Sequence, residues 1–295
     1  MVLAAKEKAS DLRLFASPWS PPAWMKTNGK MDKGGFLRRE CQDAWARYTA
    51  RYIKAYEEEG IPIWGVTVQN AKAEQGWESC HYEAGEERDF VTGYLKPAYE
   101  REGLGDKKIF FWDHNKERVV DRSLETLCSN RARAAFDGIA VHWYSGDHFG
   151  ALDVTHRLFP EKLLIASEQC KGREELPWES GEAYAHDIIG DLNNWVGAWT
   201  DWNMLLDENG GPDHWLDEQL HWERITAKRQ ELGLEINWKD PRFQKLMKEE
   251  GIWFGESPIL CDHGEKSLHY ASSYYYIGHF SRFVKRGAKR IGSSV

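Results

Sequence analysis

The amino-acid sequence predicts an α/β fold, a parallel sheet with helices packed against it. Apolar, strand-like runs recur six times along the chain. Helix-forming stretches lie between them, which is the alternation of β–α–β units. Each run ends in polar or aromatic residues, and strand ends of that kind are where an α/β enzyme places its chemistry.

The first strand is expected over Leu12–Ser17, leading into Ser17-Pro18-Trp19. A helix follows over Asp43–Glu59: Trp45, Tyr48, Tyr52, Ile53 and Tyr56 fall at helical spacing, and Gly60 stands where a C-terminal cap belongs. The second strand, Pro62–Gln69, runs into Gln69-Asn70. Glu86–Glu102 reads as a helix ending at Gly103, and Pro97 should kink it or end it early. The third strand, Lys108–Asp113, leads into Asp113-His114-Asn115, and the fourth, Gly138–Tyr144, closes on His142-Trp143-Tyr144. The fifth, Leu163–Glu168, ends in Ser167-Glu168; after a helix over Glu182–Asn193 the sixth, Val196–Trp202, runs into Asp201-Trp202-Asn203. The pattern is then interrupted by a charged, helix-forming insertion over residues 214–256. Within it Asp240-Pro241 supplies an N-cap and first helical position, and Gly251 the stop, for a short helix around Arg242–Glu250. Residues 1–295 are expected to form one β/α domain carrying that insertion.

Composition narrows the function. A chain of 295 residues buries a sizeable core. The 15 Trp, 12 Tyr and 12 Phe are expected mostly in that core, although Trp also makes flat platforms for sugar rings. A net charge of −8 and a pI near 5.8 argue against nucleic acid and anionic membrane surfaces as partners. No apolar run approaches the length of a membrane span. The start, MVLAAKEKAS, lacks the apolar stretch of a secretory signal, which leaves the compartment open. Cys41, Cys80, Cys128, Cys170 and Cys261 are odd in number, widely spaced, and form neither a metal pattern nor a disulfide framework.

No Gly-rich phosphate loop follows a strand, so no nucleotide cofactor is expected. His142 and His148 are the nearest approach to a metal pair and lack a third ligand at matching spacing, so no metal is expected either. Ser167-Glu168 is not in the Gly-x-Ser-x-Gly turn of a serine hydrolase. What remains at the strand ends is carboxylates among amides, Trp, His and Tyr. That set suits glycoside cleavage, in which two carboxyl groups flank the bond while rings and amides hold the sugar.

Seven stretches carry a resemblance: LFASPWSPPAWMKTNG (14–29), WGVTVQN (64–70), GIAVHWY (138–144), THRLFP (155–160), LLIASEQC (163–170), GAWTDWNMLLDENGGP (197–212) and YYYIGHFSRFV (274–284). Together they resemble glycoside hydrolase family 30, the glucosylceramidase-like retaining β-glycosidases. The resemblance implies a (β/α)8 TIM-barrel with catalytic glutamates at the ends of its fourth and seventh strands. Counted on that barrel, the six strands of this chain are the third to the eighth. The first two strands and the family's β-sandwich have no counterpart, so the chain is expected to be a fragment, a truncated gene product, or a chain completed by a partner. Two open sheet edges are costly unless covered or paired.

By the same resemblance Glu168, in IASEQC, is the nucleophile, and Trp19, Asn70, Asp113, His142, Tyr144, Trp202 and Asn203 line the sugar site. The pattern breaks at the acid/base. The family has Asn-Glu-Pro after the fourth strand, whereas this chain reads Asn70-Ala71-Lys72-Ala73-Glu74. Ala71 stands where Glu-Pro belongs; Glu74 is the nearest carboxyl group and would need its loop rearranged to substitute. Two readings result: a retaining hydrolase of β-glucosides, glycolipid or glucan, impaired in its acid/base step, or a sugar-binding pseudoenzyme.

Overall fold

The computed structural model describes residues 1–70, 77–171, 177–207, 211, 218–235, 240–249 and 256–291. They fall into two compact units, Met1–Ser167 with Asn194–Ala198, and Glu168–Asn193 with Trp199–Val295.

The first unit is built on a sheet of strands β1 (Leu14–Ala16), β2 (Ile63–Thr67), β3 (Lys108–Asn115), β4 (Gly138–His142), β5 (Leu163–Glu168) and β6 (Val196–Trp199), hydrogen-bonded in that order. The strands are parallel and sequential neighbours, the succession of a β/α barrel. β3, β4 and β5 are buried almost throughout, as strands covered on both faces must be. β5 matches the sequence reading at both ends, and the C-terminal ends of the other strands differ from it by one to three residues. β3 extends to Asn115, while β4 stops at His142 and β6 at Trp199, leaving Tyr144 and Trp202 in loops.

Phe110, Ala140 and Ile165, with Trp64 packed against them, form an apolar layer on the sheet. Close strand approach there requires glycine. A Cβ at Gly138 would lie 2.3 Å from the Leu163 carbonyl oxygen and 2.8 Å from Phe110 Cε1.

Helices α1 (Val2–Lys8), α2 (Gln42–Glu58), α3 (Ala84–Phe90), α4 (Lys96–Arg101), α5 (Val119–Thr126), α6 (Asn130–Ala135) and α7 (Phe149–Leu158) complete this unit. Gly60 and Gly103 follow α2 and α4 with φ of 76° and 74°, the left-handed turn that releases a helix. Pro97 does not end its helix early. A π-turn over Val91–Leu95 joins α3 to α4, so the proline falls in the first turn of a new helical register, where its missing N–H costs nothing. On α2, Trp45 and Ile53 are buried, but Tyr48, Tyr52 and Tyr56 stay exposed, so half of the apolar stripe faces outward.

The second unit holds α8 (Pro177–Asn193), α9 (Glu218–Glu231), α10 (Pro241–Glu249) and α11 (Ser272–Phe283). It also has a three-stranded sheet: β7 (Leu205–Asp207) runs parallel to β8 (Ile259–Asp262), which pairs antiparallel with β9 (Ser267–Tyr270). The sequence reading did not anticipate that sheet, because none of its strands exceeds four residues. α8 begins five residues earlier than expected and meets α11 through Gly181, where a Cβ would lie 2.4 Å from the Tyr276 ring. Asp240 caps α10 as expected, its Oδ1 accepting from the Arg242 amide at 2.9 Å. No helix among the described residues is long and apolar enough to cross a membrane.

Candidate active site

In the first unit the polar strand ends converge on Asp113. Its side chain is 0 % exposed. Thr67 Oγ1 on β2 donates to its Oδ2 at 2.6 Å, while Ser167 Oγ on β5 (2.5 Å) and His142 Nε2 on β4 (2.9 Å) meet its Oδ1. Four adjacent strands thus contribute one residue each to a polar layer. Ile165 and Ala140 of the apolar layer lie two residues before Ser167 and His142, the spacing that returns a strand to the same face.

The backbone of β3 bends to allow this. Its register with β4 passes from Trp112↔Ala140 to His114↔Val141, so Asp113 is the extra residue of a β-bulge. Trp112 and Asp113 have φ of 75° and 45°, two consecutive side chains in the left-handed region. Trp112 is held from behind: its amide donates to Glu87 Oε1 on α3 at 3.3 Å, its ring N–H donates to the Asn115 carbonyl at 2.9 Å, and the Arg122 guanidinium lies 4.8 Å from its ring. Burial by itself would raise the Asp113 pKa. The bonds from His142, Ser167 and Thr67, and the charge of His142, outweigh it and hold the carboxyl below the ordinary aspartate value.

Around this layer, Tyr144 is 43 % exposed and stands edge-on to His142 at 5.9 Å. Gln69, fully buried, donates from Nε2 to the carbonyls of Trp19 (2.6 Å) and Asn70 (2.7 Å), and the Asn70 amide bonds the Pro18 carbonyl at 2.9 Å. The loop after β1 and the end of β2 are thereby locked together. Ala71 and Glu74 lie outside the described residues. Among the described residues no group of three His, Cys, Asp or Glu could hold a metal ion. His148 is the residue before α7, its Nε2 against the Ser145 carbonyl at 3.0 Å.

The second unit begins with Glu168, the half-buried last residue of β5. Gln169, which follows it, is fully buried, and its carbonyl accepts from the Trp202 amide at 2.7 Å. Asn203 is half-buried, and its Nδ2 is enclosed with no hydrogen-bond partner, leaving an amide donor unspent beside Trp202. Asp201, just before them, accepts from the Tyr184 hydroxyl at 3.2 Å. The structure therefore brings Asp113 and His142 into direct contact, sets Tyr144 against His142, and ties Asn70 to the loop carrying Trp19. Trp202 and Asn203 fall on the segment bonded to the residue after Glu168.

Sequence reasoning placed Gln69, Ser167 and Asp201 at polar strand ends without giving them a role, and it missed Thr67 and Tyr184. Thr67 could have been found, since it is a hydroxyl near the end of an otherwise apolar strand. Tyr184 could not, because only the packing of α8 brings it to Asp201. The expected concentration of Trp in the core also changes: among the described tryptophans only Trp45 and Trp112 are fully buried.

The comparisons with known proteins agree with the β/α succession of the sheet. The family profile described as "Glycosyl hydrolase family 30 TIM-barrel domain" matches residues 1–246. Putative glucosylceramidase 3 of Caenorhabditis elegans is 31% identical over 308 residues, covering 99% of this chain and 52% of that protein. The lysosomal acid glucosylceramidase of Mus musculus is 30% identical over 98% of this chain and 52% of its own length. The crystal structure of SrfJ from Salmonella typhimurium superposes with a TM-score of 0.82 at 33% identity, covering 97% of this chain and 57% of that one. The fold is thus of the (β/α)8 TIM-barrel type, with six of the eight strands present and no β-sandwich among the described residues. The chain spans about half the length of the curated relatives it matches.

Proposed function

The chain belongs to glycosyl hydrolase family 30, and from that premise we propose that it is a retaining β-glycoside hydrolase with Glu168 as nucleophile. The observation that carries the reading is Glu168 as the last residue of β5, followed in the chain by Gln169, whose carbonyl accepts from the Trp202 amide. In the proposed reaction the Glu168 carboxylate attacks the anomeric carbon as the bond to the aglycone oxygen breaks. Water then attacks the glycosyl ester, releasing the sugar with its configuration retained. Trp19, Tyr144 and Trp202 offer rings to the sugar face, and Asn70 and Asn203 offer amides to its hydroxyls. Asp113 has no exposed surface, so its part is to fix His142.

The leaving oxygen needs a proton, and the family's acid is replaced by Ala71. Loss of a general acid costs on the order of 10²–10⁴ in rate, most for aglycones that are poor leaving groups. The proposed substrates are therefore β-glucosides, glycolipid or glucan, turned over slowly, with aryl β-glucosides cleaved faster. Glu74 is the nearest carboxyl group in sequence that could supply the proton after a loop rearrangement. Ala71 also supports a second reading, a module that holds sugar without cleaving it. In either case the outer edge of β1, which has no strand beyond it among the described residues, is where further chain, from this protein or from a partner, would complete the barrel.

Hydrolysis of an activated aryl β-glucoside, with and without azide or formate, separates the two readings. Aryl release is expected, with turnover raised by the added anion because it needs no deprotonation. Absence of release in both conditions, from a folded sample, rejects the enzyme and leaves the binding module.

A further inference from the structure

In the second unit, the stretch after Glu168 is held by a buried cluster that the proposed reaction does not use. Two segments close on it through their backbones. The Trp202 amide donates to the Gln169 carbonyl at 2.7 Å, and the Glu256 amide donates to the Lys171 carbonyl at 2.8 Å. Each segment also carries an acid lodged against α8: the Tyr184 hydroxyl donates to Asp201 Oδ1 at 3.2 Å, and Ser180 Oγ donates to Glu256 Oε2 at 2.6 Å. Ser180 and Tyr184 are one helical turn apart and fully buried, so α8 presents both hydroxyls on one face. The second oxygen of Asp201 is enclosed and has no hydrogen-bond partner.

We propose that Asp201 is a positioning residue: gripped by Tyr184, it sets the strand end whose Trp202 amide holds Gln169, and through Gln169 the placement of Glu168. The role given to Glu168 rests on the glycosidase reading, whereas the clamp rests on the contacts themselves. An enclosed carboxyl group with one oxygen unpartnered and a second acid nearby is accommodated best as the neutral acid. Burial pushes the Asp201 pKa up to about 7; the Tyr184 hydroxyl and the Trp202 amide oppose that shift, and Glu256 reinforces it. The titratable groups facing the cluster are Tyr184 from α8, Glu256 from the segment before β8, and Cys170 from the stretch after β5. The folded protein therefore keeps a proton that the opened segment gives up above pH ~4. Opening becomes easier as pH rises from about 4 to about 7 and levels off beyond, where both forms are ionised.

Hydrogen exchange at the Trp202 and Glu256 amides, the donors of the two backbone bonds, corrected for intrinsic rates, tests this between pH 5 and 8. In the wild-type chain protection should fall by up to roughly tenfold per pH unit between 5 and 7, then flatten. Asp201→Asn keeps the bond from Tyr184 without the charge and should abolish the pH dependence, whereas Tyr184→Phe should lower protection at every pH. If Asp201→Asn retains the wild-type fall, or the wild-type chain shows none, the clamp is refuted. The rate at which an activated 2-deoxy-2-fluoro-β-glucoside labels Glu168 supplies the catalytic readout. It should decline as pH rises from 5 to 7 and then flatten in the wild-type chain and not in Asp201→Asn, and an identical decline in both refutes the positioning role. If Glu168 is never labelled, its role as nucleophile fails, while the exchange data still decide whether Asp201 holds the strand end.

Discussion

Asp113 shows how a single residue can hold an unfavourable backbone in place. A left-handed conformation at a residue other than glycine costs on the order of 1–3 kcal/mol. Three hydrogen bonds to a buried carboxylate, each worth about 1.5–3 kcal/mol, more than offset that. The balance predicts a pH-dependent loss in Asp113→Asn, since Asn tolerates the same backbone but lacks the charge. Because the folded pKa lies below the unfolded one, the carboxylate's contribution is fully present above the unfolded value and is lost as pH falls through the folded value. Asp113→Asn should therefore be less stable than wild type by about 2–3 kcal/mol at pH 6, with the gap closing below about pH 4. Urea midpoints from pH 3 to 6 measure it, and a gap independent of pH would show that the charge is not the source.

Among the elements, glycine separates strands that must approach closely from helices that merely tolerate it. Gly138 on β4 faces the Leu163 carbonyl, a backbone atom that cannot rotate away. Gly138→Ala should cost about 1–3 kcal/mol, the usual penalty for forcing volume into a packed site. Gly278 on α11 has nothing within 4 Å of where its Cβ would be. Gly278→Ala should stabilise by about 0.5–1 kcal/mol through helix propensity alone. Opposite signs in parallel denaturant titrations are the expected result; two losses of equal size would contradict the packing difference. Pro97 teaches a related lesson. A proline in a helical pattern predicts a break, but the π-turn before it places Pro97 in the first turn of a new register, which periodicity does not reveal.

At the scale of the molecule, the outer edge of β1 has no strand beyond it among the described residues, and the tyrosines of α2 lie on the same unit. A cavity of about 330 Å³ there is lined by Phe15, Trp45, Tyr48, Tyr52 and Tyr99. Tyr48 is 54 % exposed and Tyr52 37 %. An open edge beside an aromatic face is a template for association. The chain alone should therefore self-associate with rising concentration, and Tyr48→Lys with Tyr52→Lys should weaken that association. Sedimentation velocity over a hundredfold concentration range is the check, and a monomer throughout would show that the edge is already satisfied. The net charge of −8 opposes self-association only weakly at physiological salt, where exposed charges are screened beyond about 8 Å.

The sequence by itself determined the six strands, their order, and the strand-end positions that collect polar residues, because burial on both faces forces apolar runs and parallel pairing forces a helix between them. The place of Glu168 at the end of β5 was legible because it closes such a run. The bulge at Asp113, the bonds from Thr67 and Ser167, and the grip of Tyr184 on Asp201 were not. Each joins residues from different elements, 17 to 54 positions apart in the chain, and no local pattern encodes which buried hydroxyl will meet which carboxylate. Only the tertiary structure decided those pairings, since a buried charge must be satisfied by whatever donor the packing brings within reach.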